Sequence, residues 1–236
     1  MRKLSIVGLA AFSLAACAGD STPDGAKPAD SVVATAVSTA ADPMTTVFSN
    51  EYAVASVVTL APGQVLPAHA GGPRAVYALS DFTIRFTQGG QTSEPTWKAG
   101  QAHFHDAGEH TIENIGSSEA KFLVVARTAQ ALAAAPAHKE SPAGGASGPT
   151  QLLLDNADVR VSEVRLPAGA TLPRHPGLAR VVYALSDYTI SYTSNKAEPV
   201  VNSFTAGQAH WHAADEHLIV NTGGTEARFL LVQFKR

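Results

Sequence analysis

The chain of 236 residues contains a single cysteine, Cys17. An intramolecular disulfide is therefore excluded, and so is a zinc site built on several thiolates. Lysine and arginine never gather into a long run, and the formal net charge is −3. Nucleic acid and anionic lipid surfaces both require a concentrated basic face, so neither is expected as a charge-driven partner. No Ser-His-Asp spacing, phosphate loop or nucleotide fingerprint occurs. No strong amphipathic helix is apparent beyond the leader, and the one N-terminal apolar run is too short to span a bilayer comfortably.

What is present starts with that run. Arg2 and Lys3 precede "LSIVGLAAFSLAA", the form of a secretory signal. It ends in "LAAC" at 14–17, which resembles the lipobox of bacterial lipoproteins. The resemblance implies a signal peptide at 1–16, acylation of Cys17 and a membrane anchor of several acyl chains, which hold where one would not. Ala18, rather than Asp, follows the cysteine; under the sorting rule of enterobacteria-like organisms this implies the outer membrane, with the chain facing the periplasm. Residues 17–44 are rich in Ala, Ser, Asp, Pro and Gly and lack aromatics, so they are expected to form a tether.

The remainder is a repeat. "LPAHAGGPRAVYALSDFTIRFT" (66–87) lies over "LPRHPGLARVVYALSDYTISYT" (172–193). "AGQAHFHDAGEHTIENIGSSEAKFLVV" then lies over "AGQAHWHAADEHLIVNTGGTEARFLLV", with one residue inserted between in "SNKAEPVVNSF". Two units result, 45–129 and 150–236, joined by an Ala-, Gly- and Pro-rich linker at 130–149. Segments such as "YAVASVVTL", "VRVSEVRL", "AVYALS" and "KFLVVA" read as short strands separated by turn residues. An all-β sandwich or barrel is expected for each unit, and the two packed together bury more than either alone.

The order of features resembles the cupin superfamily, a double-stranded β-helix or jelly roll. Gly63 with His69, and Gly169 with His175, match its first motif. Gly100, His110 and Asn114, and Gly207, His217 and Asn221, match its second. The "VYALSD" phrasing is similar to small bacterial cupins of the β-alanine-degradation type. The resemblance implies two tandem cupin units packed as a bicupin. It is incomplete: Gly71 and Gly177 stand where the pattern has a second histidine, and its glutamate falls near Ala75 or Val181. Two of the four usual metal ligands are thus absent from each unit.

Each unit instead gains a His-x-His, His103 with His105 and His210 with His212. On a strand, residues i and i+2 face the same side. If these rings face inward, each unit gathers four imidazoles: His69, His103, His105 and His110, and His175, His210, His212 and His217. Neutral imidazole suits Zn, Fe, Cu or Ni, and three histidines with water form a known catalytic zinc arrangement. If Phe104 and Trp211 face inward, they are core and the rings lie outside. Eight of the nine histidines occupy four matched positions, while surface charges differ freely between the copies.

Arg74 and Arg180 stand beside the expected mouth, placed to take a carboxylate bidentately or to form a surface ion pair. Tyr77 and Tyr183 line the pocket or fill core. Glu109 and Glu216 read as partners of the neighbouring histidines or as solvated charges, Asp81 and Asp187 as turn caps, Asn114 and Asn221 as turn formers. Glu113, matched by Val220, is one place where the units differ. Three functional readings follow: an envelope lipoprotein that binds a small molecule, with or without a transition metal; a metal-dependent oxygenase or isomerase; and a metal-free structural or interaction module. A homo-oligomer is compatible with all three.

Overall fold

A computed structural model describes residues 42–132, 149–195 and 197–235. The expected signal peptide, Cys17, the expected tether through residue 41, and residues 133–148 of the expected linker with His138 lie outside the described residues. The first unit contains β1 (Met44–Ser49), β2 (Ala53–Leu60), β3 (Val65–Gly71), β4 (Arg74–Ala78), β5 (Phe82–Gln88), β6 (Gln91–Ser93), β7 (Thr96–Trp97), β8 (Ala102–His105), β9 (Gly108–Asn114) and β10 (Ala120–Arg127). The second contains β11 (Thr150–Asp155), β12 (Val159–Leu166), β13 (Thr171–Gly177), β14 (Arg180–Ala184), β15 (Tyr188–Ser194), β16 (Val200–Phe204), β17 (Ala209–His212), β18 (Asp215–Asn221) and β19 (Ala227–Phe234).

In the first unit one sheet runs β1-β2-β10-β4-β8 and the other β3-β9-β5-β6, with β7 also pairing β5. The second unit repeats this as β11-β12-β19-β14-β17 and β13-β18-β15-β16. Every pairing is antiparallel. Gly100 and Gly207, with φ of 91° and 93°, make the turns that launch β8 and β17; a side chain there would be strained.

Period-two alternation divides each strand between two jobs. β4 and β14 are buried at all five positions. On β4, Val76 and Ala78 join the core of the first barrel, whereas Ala75 and Tyr77 join a cluster shared with the second unit. That shared core brings Leu123 and Val125 of β10 against Val161, Val181, Leu230 and Val232. Tyr52 stacks on Trp211 with ring centroids 5.3 Å apart. The Tyr77 hydroxyl donates across the junction to Glu163 at 3.4 Å, and Glu163 pairs with Arg228 at 2.8 Å and Arg165 at 2.9 Å. Burial, together with the Glu163 charge, pushes the Tyr77 phenol up to about 12.

Asn114 and Asn221 do more than form turns. Each is fully buried. Asn114 Nδ2 donates to the carbonyls of Leu60 and Ser118, both at 2.8 Å, and its Oδ1 accepts from Gly116 N. Asn221 repeats this with Leu166, Thr225 and Gly223. The clamp fixes the ends of β9 and β18 and so the placement of the histidines upstream on them.

Because the shared core belongs to both barrels, one cooperative unfolding transition is expected for the pair. Leu230→Ala, at a fully buried position, should cost about 2–5 kcal/mol, read by urea unfolding. Two separated transitions would contradict the shared core.

Candidate functional site

The sheet registers bring the histidines together. β3 pairs with β9 so that His69 lies opposite His110, their ring centroids 4.1 Å apart. β4 pairs with β8 so that Arg74 lies opposite His105 and Val76 opposite His103. All four rings and Arg74 line one cavity of about 210 Å3 in the first barrel. Phe104, one residue out of phase, packs against the shared core, as does Trp211. The inward choice left open by the sequence is therefore the one the strands make. His103 stacks on Trp97 with centroids 3.7 Å apart, and His210 on Phe204 at 4.3 Å.

Arg74 is not a surface residue: it is 6% exposed. Its Nη1 donates to the carbonyls of Gly72 and Asp106, and its Nη2 lies 3.0 Å from His110 Nε2. A guanidinium has only donors, so that ring nitrogen accepts, and His110 Nδ1 donates to Gly108 O at 3.2 Å. Burial pushes His103 down to about 3, and His105 and His110 down to about 4, with Arg74 opposing their protonation further. At neutral pH these three rings are uncharged and the guanidinium is not.

Of the two places open to Tyr77 and Tyr183, the ligand pocket is ruled out. Both belong to the shared core and neither lines a histidine cavity. Arg74 and Tyr77 are three residues apart on one strand, so they face opposite sides. Glu109 is exposed and Glu216 half-buried, and neither lines a cavity. Asp81 accepts from Ala99 N and Asp187 from Ala206 N, as turn caps. Glu113 pairs with Arg85 on the surface at 2.6 Å, so its difference from Val220 does not touch the site.

The second barrel holds His175, His210, His212, His217 and Arg180 in the matching places, but its cavity is only about 20 Å3. Phe82, Phe86, Val124 and Gly108 are replaced there by the larger Tyr188, Tyr192, Leu231 and Asp215. Arg180 Nη2 donates to the Tyr192 hydroxyl at 3.2 Å and approaches Asp215 Oδ1 at 3.5 Å. His217 Nδ1 lies 3.1 Å from Asp215 Oδ1, and the Tyr192 hydroxyl donates to Oδ2. Burial works against the Asp215 charge, but hydrogen bonds from His217 and Tyr192 and the Arg180 charge hold its carboxyl well below the usual range. These closing residues were not singled out from the sequence; laying the copies over each other and asking where glycine faces aspartate finds the chief one. A further hollow of about 290 Å3 at the junction of the units, beside Phe104 and Phe234, contains none of the histidines.

Among the described residues no group of three or more His, Cys, Asp or Glu is disposed to hold a metal ion. The arginine packs closely on Gly71. A β-carbon there would lie 2.6 Å from Arg74 Nη1 and 2.9 Å from His110 Cε1; at Gly177 the matching distances are 2.5 Å to Arg180 Nη1 and 2.7 Å to His217 Cε1. The guanidinium occupies the space that a histidine at 71 or 177 would need, and its charge repels a second cation.

No protein-family model matches the chain, and no curated protein matches it. Solved structures do. AerE from Microcystis aeruginosa is similar at TM-score 0.59 and 15% identity, over 78% of this chain and 88% of its own. Lactobacillus farciminis oxalate decarboxylase, in a formate complex, is similar at 0.57 and 15%, over 79% and 78%. Bacillus subtilis oxalate decarboxylase, which has Mn(II) centres, is similar at 0.58 and 14%, over 78% and 69%. These likenesses show the fold: the chain is all-β, with two cupin-like jelly-roll units.

Gly71→Ala should lower stability by about 1–3 kcal/mol by driving a methyl group into the arginine and ring. Gly72→Ala, where a β-carbon meets nothing within 4 Å, should be nearly neutral. Thermal unfolding of the two variants checks this, and equal losses would contradict the packing.

Proposed function

We propose that the chain is a cell-envelope lipoprotein whose first cupin barrel binds a small organic molecule without a resident metal. The observation that carries this reading is the contrast between matched places: about 210 Å3 of cavity in the first barrel and about 20 Å3 in the second. Large voids in a core are destabilising unless something fills them. Here the same fold, in the same chain, has closed one and kept the other. The kept cavity is concave and mostly apolar, with a few convergent polar groups, the usual make-up of a ligand site.

The metal-dependent oxygenase or isomerase reading is less well supported, because the arginine stands among the imidazoles. The ligand-free structural reading leaves the retained cavity without a cause. The envelope location rests on the leader and on "LAAC".

Two experiments test the proposal. Chain extracted from its native membrane without a His tag should release one small organic molecule per chain on denaturation, detected by mass spectrometry. Elemental analysis of the same sample should give no stoichiometric transition metal. The variant Phe82→Tyr/Val124→Leu, carrying the second barrel's residues, should fold and release much less. Release of nothing by the wild type, or of equal amounts by both, would overturn the reading. Separately, Cys17→Ser should abolish lipid labelling and free the chain from the membrane; persistent labelling would remove the anchor assignment.

A further inference from the structure

The two units differ most sharply at the arginine. In the second, the Arg180 charge is answered inside the barrel by Asp215, whose carboxylate also takes His217 and the Tyr192 hydroxyl. In the first, the matched residues are Gly108 and Phe86. Among the described residues Arg74 has no carboxylate partner; its contacts are two backbone carbonyls and His110. Asp106 is exposed and offers its backbone oxygen. A β-carbon at Gly108 would lie 2.1 Å from Gln88 Nε2, so Gln88 would have to move aside, where the second unit has the smaller Ser194. A buried, always-charged guanidinium is costly without a counter-charge.

The cavity wall also divides by strand. The imidazoles and Arg74 project from β3, β4, β8 and β9, whereas β1, β2 and β10 contribute Met44, Val54, Ser56, Val58, Phe122, Val124 and Ala126, mostly apolar. In the second unit Met44, Val54 and Ala126 are matched by Thr150, Arg160 and Gln233. These three apolar positions are thus a property of the open barrel and not of the repeat.

We infer that the first barrel binds an organic monocarboxylate, its carboxylate on Arg74 and on the His110 Nδ1–H that Gly108 O accepts in the empty barrel, as Asp215 sits on Arg180 and His217 Nδ1, and its apolar body toward β1, β2 and β10. This deepens the small-molecule reading and rests on it. The second barrel is then self-liganded: its own aspartate occupies the anion position, and bulkier side chains fill the rest. The geometry asks for a singly charged, planar acid, because the internal stand-in is one carboxylate held by one arginine and one ring.

The test uses the full chain in detergent, with benzoate and hexanoate as probes and benzamide and hexanamide as their neutral counterparts. By calorimetric titration the acids should bind at least tenfold more tightly than the amides, and should raise the melting temperature where the amides do not. The variant Phe86→Tyr/Gln88→Ser/Gly108→Asp imports the internal carboxylate with room made for it. It should melt higher than the wild type and lose acid binding at least tenfold. Arg74→Met should abolish the preference for acids; the triple variant keeps the inference testable if Arg74→Met fails to fold. Equal binding of acids and amides would overturn the carboxylate assignment and leave the small-molecule reading intact. Binding of none of the four, or unchanged acid binding in the triple variant, would also overturn it. Co-release of a neutral molecule from native membranes would do the same without touching the broader proposal.

Discussion

The structure depends on strand parity at two adjacent strands. β4 and β8 lie side by side between the cavity of the first barrel and the joint with the second. Residues pointing one way, Arg74, Val76, His103 and His105, face the cavity; those pointing the other way, Ala75, Tyr77 and Phe104, face the partner unit. A one-residue slip would exchange the two sets, placing an arginine and two imidazoles in the apolar joint and a phenyl ring in the site. The joint and the site therefore hold each other in register. β14 and β17 repeat the arrangement with Arg180, Val182, His210 and His212 against Val181, Tyr183 and Trp211.

Within that frame a guanidinium stands among the imidazoles. The glycine at 71 or 177 and the arginine three residues later form one complementary pair: loss of the side chain makes the space that the guanidinium takes. The uncharged rings around it follow from desolvation, since a second positive charge beside a buried arginine is unfavourable in a low dielectric. In this structure the imidazoles serve as hydrogen-bonding groups and stacking planes. His110 shows this most simply, accepting from Arg74 through one nitrogen and donating to Gly108 O through the other.

Two copies of one design have met the same electrostatic demand differently. The second unit supplies a carboxylate from Asp215 and fills the remaining space with Tyr188, Tyr192 and Leu231, giving a closed network. The first keeps Gly108, Phe82, Phe86 and Val124 and leaves both a charge and a volume. The imidazole positions are the same in both, so they belong to the shared architecture. The difference between the units lies in the residues around the rings.

Much of this was legible in the chain. The duplication, the strand pattern, the cupin-like order of glycines, histidines and asparagines, and the common facing of each His-x-His follow from local periodicity and self-comparison, which need no partner strand. Alternation alone also forbids Arg74 and Tyr77 from sharing a face, so with the arginine inward only the core was open to Tyr77 and Tyr183. What the sequence could not contain was which face turns inward, because that is decided by which sheet each strand joins and by the apolar joint between units. Nor did it show that Arg74 reaches His110, 36 positions away in the chain, or that the space at Gly71 is already taken. Those are facts of cross-strand register and side-chain volume, and they exist only once the sheets have closed.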